Sequence, residues 1–474
     1  MLFCSYEFAF FFAVVFAAYW LLPWHRPRVW LLLVASFYFY ASWNKWLACI
    51  VLFSSALDYL LALGIERLSS RAARRGLVVV SVCSNLGLLC YFKYVNFFLD
   101  SLRQILHACG ADFSFPGLSV ILPIGISFYT FEAINYVVDV YRGRVRAERD
   151  PAHLLLFILF FPHLVAGPIV RARDFLPQVR RRKRWDWQRL QLGLGLFVMG
   201  LFKKWVIADR MAFFVDPVFA DPGAYRAGGL WLAVLAYSLQ IYGDFSGYTD
   251  MAQGVAHMLG YHLARNFNMP YLATNVSEFW RRWHISLSTW LRDYLFIPLG
   301  GSRGGRAATY RNLLLTMALG GLWHGANWTF VVWGILHGVF LITHRFFSDV
   351  LATRHLLHRV LDSAAGTIAR VALTILCVSL AWVFFRAPDF RTAATLLRGL
   401  FMHRDGLSEP MPAVGLTLTV IAVAIGHTLA QRNFGERLAA RLPATAIGAV
   451  FTLFLSLCLL LCPPAGKPFI YFQF

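Results

Sequence analysis

Charge is what this chain has least of. Of its 474 residues, 14% are Asp, Glu, Lys or Arg, where a soluble globular chain carries roughly a quarter. That depletion excludes an ordinary soluble domain. Negative charge is the scarcer sign, with 24 Asp and Glu against 44 Lys and Arg. Cysteine is sparse as well. The eight cysteines (Cys4, Cys49, Cys83, Cys90, Cys109, Cys377, Cys458 and Cys462) form no Cys-x-x-Cys or Cys/His spacing, so no metal site is expected. Cys458 and Cys462, one helical turn apart, read as small packing residues. A glycine-rich phosphate loop, a Ser-His-Asp order and a paired-carboxylate motif are missing, as are internal repeats and low-complexity linkers.

What is present is apolar. Hydrophobic residues make up 59% of the chain and aromatic residues 16%, and the mean hydropathy is +0.58. Apolar runs occur at 8–22, 29–43, 46–64, 77–99, 118–138, 153–169, 190–208, 229–243, 312–344, 371–385, 413–430 and 445–462. Many reach the ~17–25 residues that a helix needs to cross ~30 Å of hydrocarbon. The chain reads as an all-α polytopic membrane protein with one membrane domain over residues 1–474. Residues 1–22 have no basic start, carry Glu7 and lead to no small-x-small cleavage site. They are expected to form a first transmembrane helix rather than a signal peptide.

The net charge of +20 is clustered at Arg71–Arg75, Arg142–Arg149, Arg171–Arg189, Arg265–Arg311 and Arg345–Arg370. Between apolar spans, the bias of Lys and Arg toward the cytoplasm accounts for these groups, and no nucleic-acid partner is expected. With the clusters inside, both termini fall outside after about ten full crossings, within a set of about 10–11 transmembrane helices. The loop 386–410 dissents, because it holds Arg386, Arg391, Arg398 and Arg404. Segment 153–169 has basic residues on both sides and contains "FPHLVAGPIV", which predicts a re-entrant or broken helix. Such backbone survives at membrane depth only where protein or a water-lined cavity satisfies it. Residues 250–311 mix Trp and Phe with Arg, which predicts amphipathic helices on the cytoplasmic-side surface.

From Asn312 to His344 there is no Asp, Glu, Lys or Arg. As one helix this run would be ~50 Å long, more than one crossing needs; two full crossings would need more residues. Gly320, Gly321 and Gly325 bracket its middle, which predicts a hairpin with His324 deep in the membrane near the break. Polar side chains at such depth mark a functional path, and a desolvated imidazole stays neutral and able to accept a proton. A hydrogen bond between packed helices is the other reading of His324. His337 would face elsewhere on a continuous helix and reads as packing. His284, in "RRWHISLSTW", stands with Trp280, Trp283 and Trp290 and reads as an interfacial anchor, with a catalytic role as the alternative. Lys203 and Lys204 either snorkel or line a polar cavity. Asp244 and Asp250 read as caps or hydrogen-bonding groups within a broken helix.

Five stretches carry a resemblance: "LPIGISFYTFEAINYVVDVYRG" (122–143), "FFPHLVAGPIVR" (160–171), "YGDFSGYTDMA" (242–252), "FWRRWHISLSTWLRDYLFIPLGG" (279–301) and "GGLWHGANWTFVVWGILHG" (320–338). In them the chain resembles the membrane-bound O-acyltransferase superfamily, and within it the branch of the alginate O-acetyltransferase membrane subunit. The resemblance implies a ring of tilted helices around a central funnel or tunnel, with broken or re-entrant helices. It places the family's membrane histidine on His324 and its second histidine on His284. It implies acetyl-CoA as a cytoplasmic donor substrate, with no bound cofactor. Arg281 and Arg282 become candidates for the CoA phosphates, beside their plainer role as cytoplasmic-side anchors. Trp323, Asn327 and Asp244 lie in the matching stretches and are further candidates for substrate or donor contact.

The tail 463–474 ends in "PFIYFQF", which resembles an aromatic C-terminal motif of export acyltransferase systems. There Tyr471 is either an acyl carrier or an interfacial anchor. The expected function is acetyl transfer across the bacterial inner membrane to an exported polysaccharide such as alginate, peptidoglycan or cellulose. An extracytoplasmic acetyltransferase- or esterase-like partner would complete the transfer, with membrane lipids around the chain. The alternatives are a transporter or flippase, D-alanyl transfer to teichoic acid, and transfer to a lipid acceptor.

Overall fold

The computed structural model describes residues 1–111, 117–118, 123–165, 167–351, 355–403, 405–407, 413–432, 434–439, 441–463, 467 and 469–470. These fall into two compact units. The first comprises residues 1–197 and 248–264, the second 198–247 and 265–474. Among the described residues there is no β-strand, only an isolated bridge between Tyr225 and Leu407.

The first unit holds α1 (Tyr6–Leu21), α2 (His25–Ala41), α3 (Lys45–Arg67), α4 (Arg71–Ala108), α5 (Ile126–Tyr141), α6 (Pro151–Leu159), α7 (Phe161–Leu164) and α8 (Ala172–Val179). Their starts are written locally. Ser5, Asn44, Ser70 and Asp150 each accept a hydrogen bond from a backbone N–H of the first turn, which satisfies donors that a helix leaves open. The segment 153–169 is indeed broken, at Phe160, between α6 and α7. Its freed backbone is met by side chains: Phe161 N–H donates to Ser36 Oγ at 3.1 Å and Val170 N–H to Glu132 Oε1 at 2.9 Å. Asn135 Nδ2 donates to the Val170 carbonyl at 3.0 Å. That arrangement is what irregular backbone needs where water is absent.

Two helices contribute to both units: α9 (Trp187–Ala220) and α10 (Ala227–Met258). Here the structure corrects an expectation. The "YGDFSGYTDMA" stretch lies inside an unbroken helix, so Asp244 and Asp250 cap nothing. The second unit continues with α11 (Val276–Arg282), α12 (Ile285–Leu291), α13 (Gly305–His324), α14 (Trp328–Leu351), α15 (His355–Asp362), α16 (Ala364–Arg386), α17 (Phe390–Phe401), α18 (Ala413–Gln431), α19 (Phe434–Ala439) and α20 (Ala444–Leu460).

The chain reverses at Gly325–Asn327, so α13 and α14 form an antiparallel hairpin with His324 as the last residue of its first arm. Two glycines allow the arms to close. A Cβ on Gly321 would strike the Phe330 carbonyl oxygen, and one on Gly334 the Met317 carbonyl oxygen. Small residues at such contacts let membrane helices approach closely.

Among the described residues, six helices are long and apolar enough to cross a membrane: Lys45–Arg67, Arg71–Ala108, Trp187–Ala220, Trp328–Leu351, Ala364–Arg386 and Val414–Gln431. Three further apolar stretches are shorter: Tyr6–Leu21, Pro151–Leu164 across the break at Phe160, and Ala444–Leu460. The protein is a multi-pass, all-α membrane protein. By length and composition, six spans is below the roughly ten full crossings read from the sequence. The difference has a local cause, since α1 has 16 residues and α20 has 17, while α5 carries buried Glu132, Asn135 and Asp139.

Candidate functional site

Every residue of the candidate site lies in the second unit. It begins with a backbone exception. His284 has φ of +42°, a left-handed conformation that a residue with a Cβ rarely adopts and that concentrates at functional positions. The conformation is held by Asn266. The Asn266 carbonyl accepts from Ile285 N–H at 2.9 Å, and its side chain accepts from Ser286 N–H at 3.2 Å and Ser286 Oγ at 2.9 Å. Because a backbone N–H can only donate, the Asn266 atom at that position is the oxygen Oδ1. His284 Nδ1 lies 3.2 Å from the same oxygen, so Nδ1 carries the proton and Nε2 keeps the lone pair. Burial holds the His284 imidazole below the usual histidine range, since desolvation disfavours the charged form.

His324 faces this ring, with centroids 6.2 Å apart. Trp323, Trp333 and Phe385 surround His324 edge-on at 5.0, 5.1 and 5.3 Å. It retains 4% exposure, and His284 none. Trp333 continues the cluster to His337, 4.9 Å away, whose Nδ1 accepts from Trp280 Nε1 at 3.3 Å. The break between α13 and α14 therefore brings His324 and His337 into one aromatic cluster, from which the continuous-helix reading had separated them. Trp280, Trp283 and Trp290 are buried inside the protein. They are not an interfacial belt, and the anchoring reading of His284 falls with them.

A second polar centre adjoins the first. In α9 the turn widens at Phe202–Ala208, and Lys204 points inward. Its Nζ lies 2.9 Å from Asp209 Oδ1 and 2.6 Å from Asp244 Oδ1. Lys204 thus does not snorkel but lines a small polar cavity with Asp209, Asp216, Gln240, Asp244 and Lys467. The other Asp244 oxygen accepts the Ile470 N–H at 2.6 Å. Lys467 Nζ lies 2.9 Å from Asp216 Oδ2, and Arg386 Nη2 lies 3.0 Å from Asp216 Oδ1. The described part of the C-terminal tail is thereby pinned. Phe469 is fully buried, and Phe245 stands between it and His284, at 6.0 and 4.7 Å.

The model of the membrane-bound O-acyltransferase family matches residues 8–386. The chain belongs to the membrane-bound O-acyltransferase family. A probable alginate O-acetylase AlgI of Azotobacter vinelandii is 42% identical over 434 residues, covering 90% of this chain and 83% of that protein. The peptidoglycan O-acetyltransferase of Helicobacter pylori is 39% identical over 401 residues, covering 79% and 73%. The teichoic acid D-alanyltransferase of Bacillus subtilis is 31% identical over 245 residues, covering 49% and 61%. The protein is an acyltransferase.

Within this acyltransferase, the candidates named from the sequence separate into groups. His284, His324 and Trp323 come together, with Trp323 6.0 Å from His284. Asp244 serves the ionic centre and the tail. Asn327 braces the hairpin turn, donating to the Pro388 carbonyl at 2.7 Å and accepting from Thr329 N–H at 3.0 Å. Arg282 is held by Glu278 at 2.8 Å and by the Asn268 carbonyl at 3.2 Å, whereas Arg281 is exposed. Tyr471 lies outside the described residues. Sequence reasoning missed Asn266, Phe245, Phe385 and His427. His427, on α18, is buried with its ring 5.1 Å from Tyr242. Phe245 lies in the "YGDFSGYTDMA" stretch without being singled out there, no motif flags Asn266 or Phe385, and a histidine in an apolar run was the signal on offer for His427.

Proposed function

We propose that this acyltransferase moves acetyl groups from acetyl-CoA on the cytoplasmic side of the bacterial inner membrane to an exported polysaccharide, such as alginate, peptidoglycan or cellulose. The carrying observation is the buried pair His324 and His284, their rings 6.2 Å apart. The relatives named for acetyl transfer cover far more of the chain than the D-alanyl relative does, which supports acetyl as the transferred group. A family of acyl-transfer enzymes argues against transport without bond chemistry.

His324 acts as general base. It takes the proton of an acceptor hydroxyl as that oxygen attacks the thioester carbonyl, and the tetrahedral intermediate collapses by expelling the CoA sulfur, which receives the proton back. The acceptor is Tyr471 or a serine of an extracytoplasmic partner. A phenol with pKa near 10 needs such a base. His284, locked with its lone pair on Nε2, is suited to accept a hydrogen bond from the acceptor hydroxyl or from protonated His324. Because His324 keeps only 4% exposure, the rings around it must part to admit substrate. The partner then passes acetyl to the polysaccharide outside, where both termini lie.

The test is transfer of labelled acetyl from acetyl-CoA by purified protein, compared with His324→Gln inserted at equal abundance. Loss of transfer by at least ~10²-fold is expected for a general base. Polymer acetylation retained by the variant would overturn the mechanism.

A further inference from the structure

Away from the histidines, the second unit contains a cavity of about 590 Å3 between α11, α14, α15 and α16. No step of the acetyl transfer uses its residues. Its floor is apolar, with Phe340, Phe347, Leu351, Leu361 and Leu373 in the wall. Both α14 and α16 are long and apolar enough to span a membrane. The cavity lies at their joined ends, from Phe340 and Cys377 out to Leu351 and Asp362. A space with an apolar body and a polar rim, at the end of two spans, matches an amphiphile in shape and chemistry.

The rim supplies the second observation. Among the described lining residues Arg370 is the only guanidinium. Its Nη2 donates to Asp362 Oδ1 at 3.3 Å and to Thr367 Oγ1 at 3.5 Å. Its Nε is buried and has no acceptor among the described residues. A guanidinium N–H left open in this way is complementary to a phosphate oxygen, because arginine binds phosphate through several donors in a fixed fork.

We propose that this cavity holds one membrane phospholipid, with an acyl chain along the apolar wall and its phosphate on Arg370. The volume falls within the ~300–1,000 Å3 of small-molecule sites. Coenzyme A fits less well. It brings several phosphates to one guanidinium already partly offset by Asp362, and its polar pantetheine arm would lie against apolar side chains. The bound lipid braces the α14 arm of the hairpin. Phe340 in the cavity wall lies 5.8 Å from His337, whose ring reaches His324 through Trp333.

Full-length protein is purified in detergent, stripped of lipid in stages, and weighed intact by native mass spectrometry with added phosphatidylglycerol, glycerol phosphate or acetyl-CoA. One phospholipid is expected to remain after the others are lost, undisturbed by glycerol phosphate. Thr374→Trp, which fills the cavity, lowers its retention about tenfold or more, while Thr374→Val leaves retention unchanged and controls for folding. Arg370→Gln weakens retention of phosphatidylglycerol but not of an uncharged diacylglycerol. Mapped alkylation of Cys377 slows when the lipid is bound. The proposal is overturned if no phospholipid survives stripping, if Thr374→Trp retains it as well as the parent, or if Cys377 reacts equally with and without lipid. One-for-one displacement by acetyl-CoA would also overturn it and assign the cavity to the donor.

Discussion

His324 and His284 lie ring to ring, 6.2 Å between centroids, although they belong to the end of one helix and the start of another. The pair is asymmetric. Asn266 decides which nitrogen of His284 bears the proton, whereas His324 is enclosed by aromatic rings.

That asymmetry makes Asn266 a positioning residue. In Asn266→Ala, Ser286 N–H loses its acceptor and the His284 tautomer is no longer imposed. Acetyl transfer is expected to fall ~10²-fold in kcat, within the range for a disturbed general acid–base group, with the KM for acetyl-CoA changing little. Steady-state kinetics at several pH values check this, because a purely structural role would lower the amount of active enzyme without altering the split between kcat and KM.

Acid should destabilise the fold through His284. Its native pKa is lowered by burial, so below about pH 6.5 the unfolded chain binds a proton that the native state refuses. Stability therefore falls as pH drops from the ordinary histidine value toward the depressed native one, by up to ~1.4 kcal/mol per pH unit for one such group. Thermal unfolding between pH 7.5 and 5.5 measures the slope, and His284→Gln should reduce it by the share of one proton.

The Lys204 centre predicts an ordering of two variants. Lys204→Met leaves Asp209 and Asp244 buried without their shared cation, a loss on the order of 3–5 kcal/mol. Asp209→Asn removes one of two carboxylates from one lysine and should be milder, about 1–2 kcal/mol. Melting of the solubilised protein ranks them; equal melting points would show that Lys204 is not the keystone of the centre.

Glycine substitutions test the hairpin. Gly334→Ala places a Cβ against the Met317 carbonyl oxygen, and strain of this kind costs roughly 1–3 kcal/mol. Gly195→Ala, on α9 with nothing within 4 Å of the added carbon, should be neutral or stabilising by up to about 1 kcal/mol. Paired thermal shifts distinguish the two.

Much of the site was legible because its signals are local. His324 stands out in a run without charge, and the glycines around it mark the turn. The partners of these histidines were not legible. Asn266 sits in an unremarked loop, and Phe245 and Phe385 look like any apolar-helix residue. Trp280, Trp283 and Trp290 carried a misleading signal, since tryptophan beside arginine suits a membrane surface equally well until the fold turns it inward. Asp244 misled in a similar way, because it read as part of a broken helix, whereas α10 runs unbroken through it.

Residue chemistry along the chain was enough to establish a helical membrane protein with a polar histidine at a glycine-flanked turn. Transfer from water to hydrocarbon and the reach of a helix depend on residue type and on near neighbours alone. Only tertiary structure decided that His284 faces His324, that Asn266 sets a tautomer, and that Lys204 joins two carboxylates beside the tail. Those contacts join residues far apart in the chain, so their free energy exists only once the helices of the unit have packed.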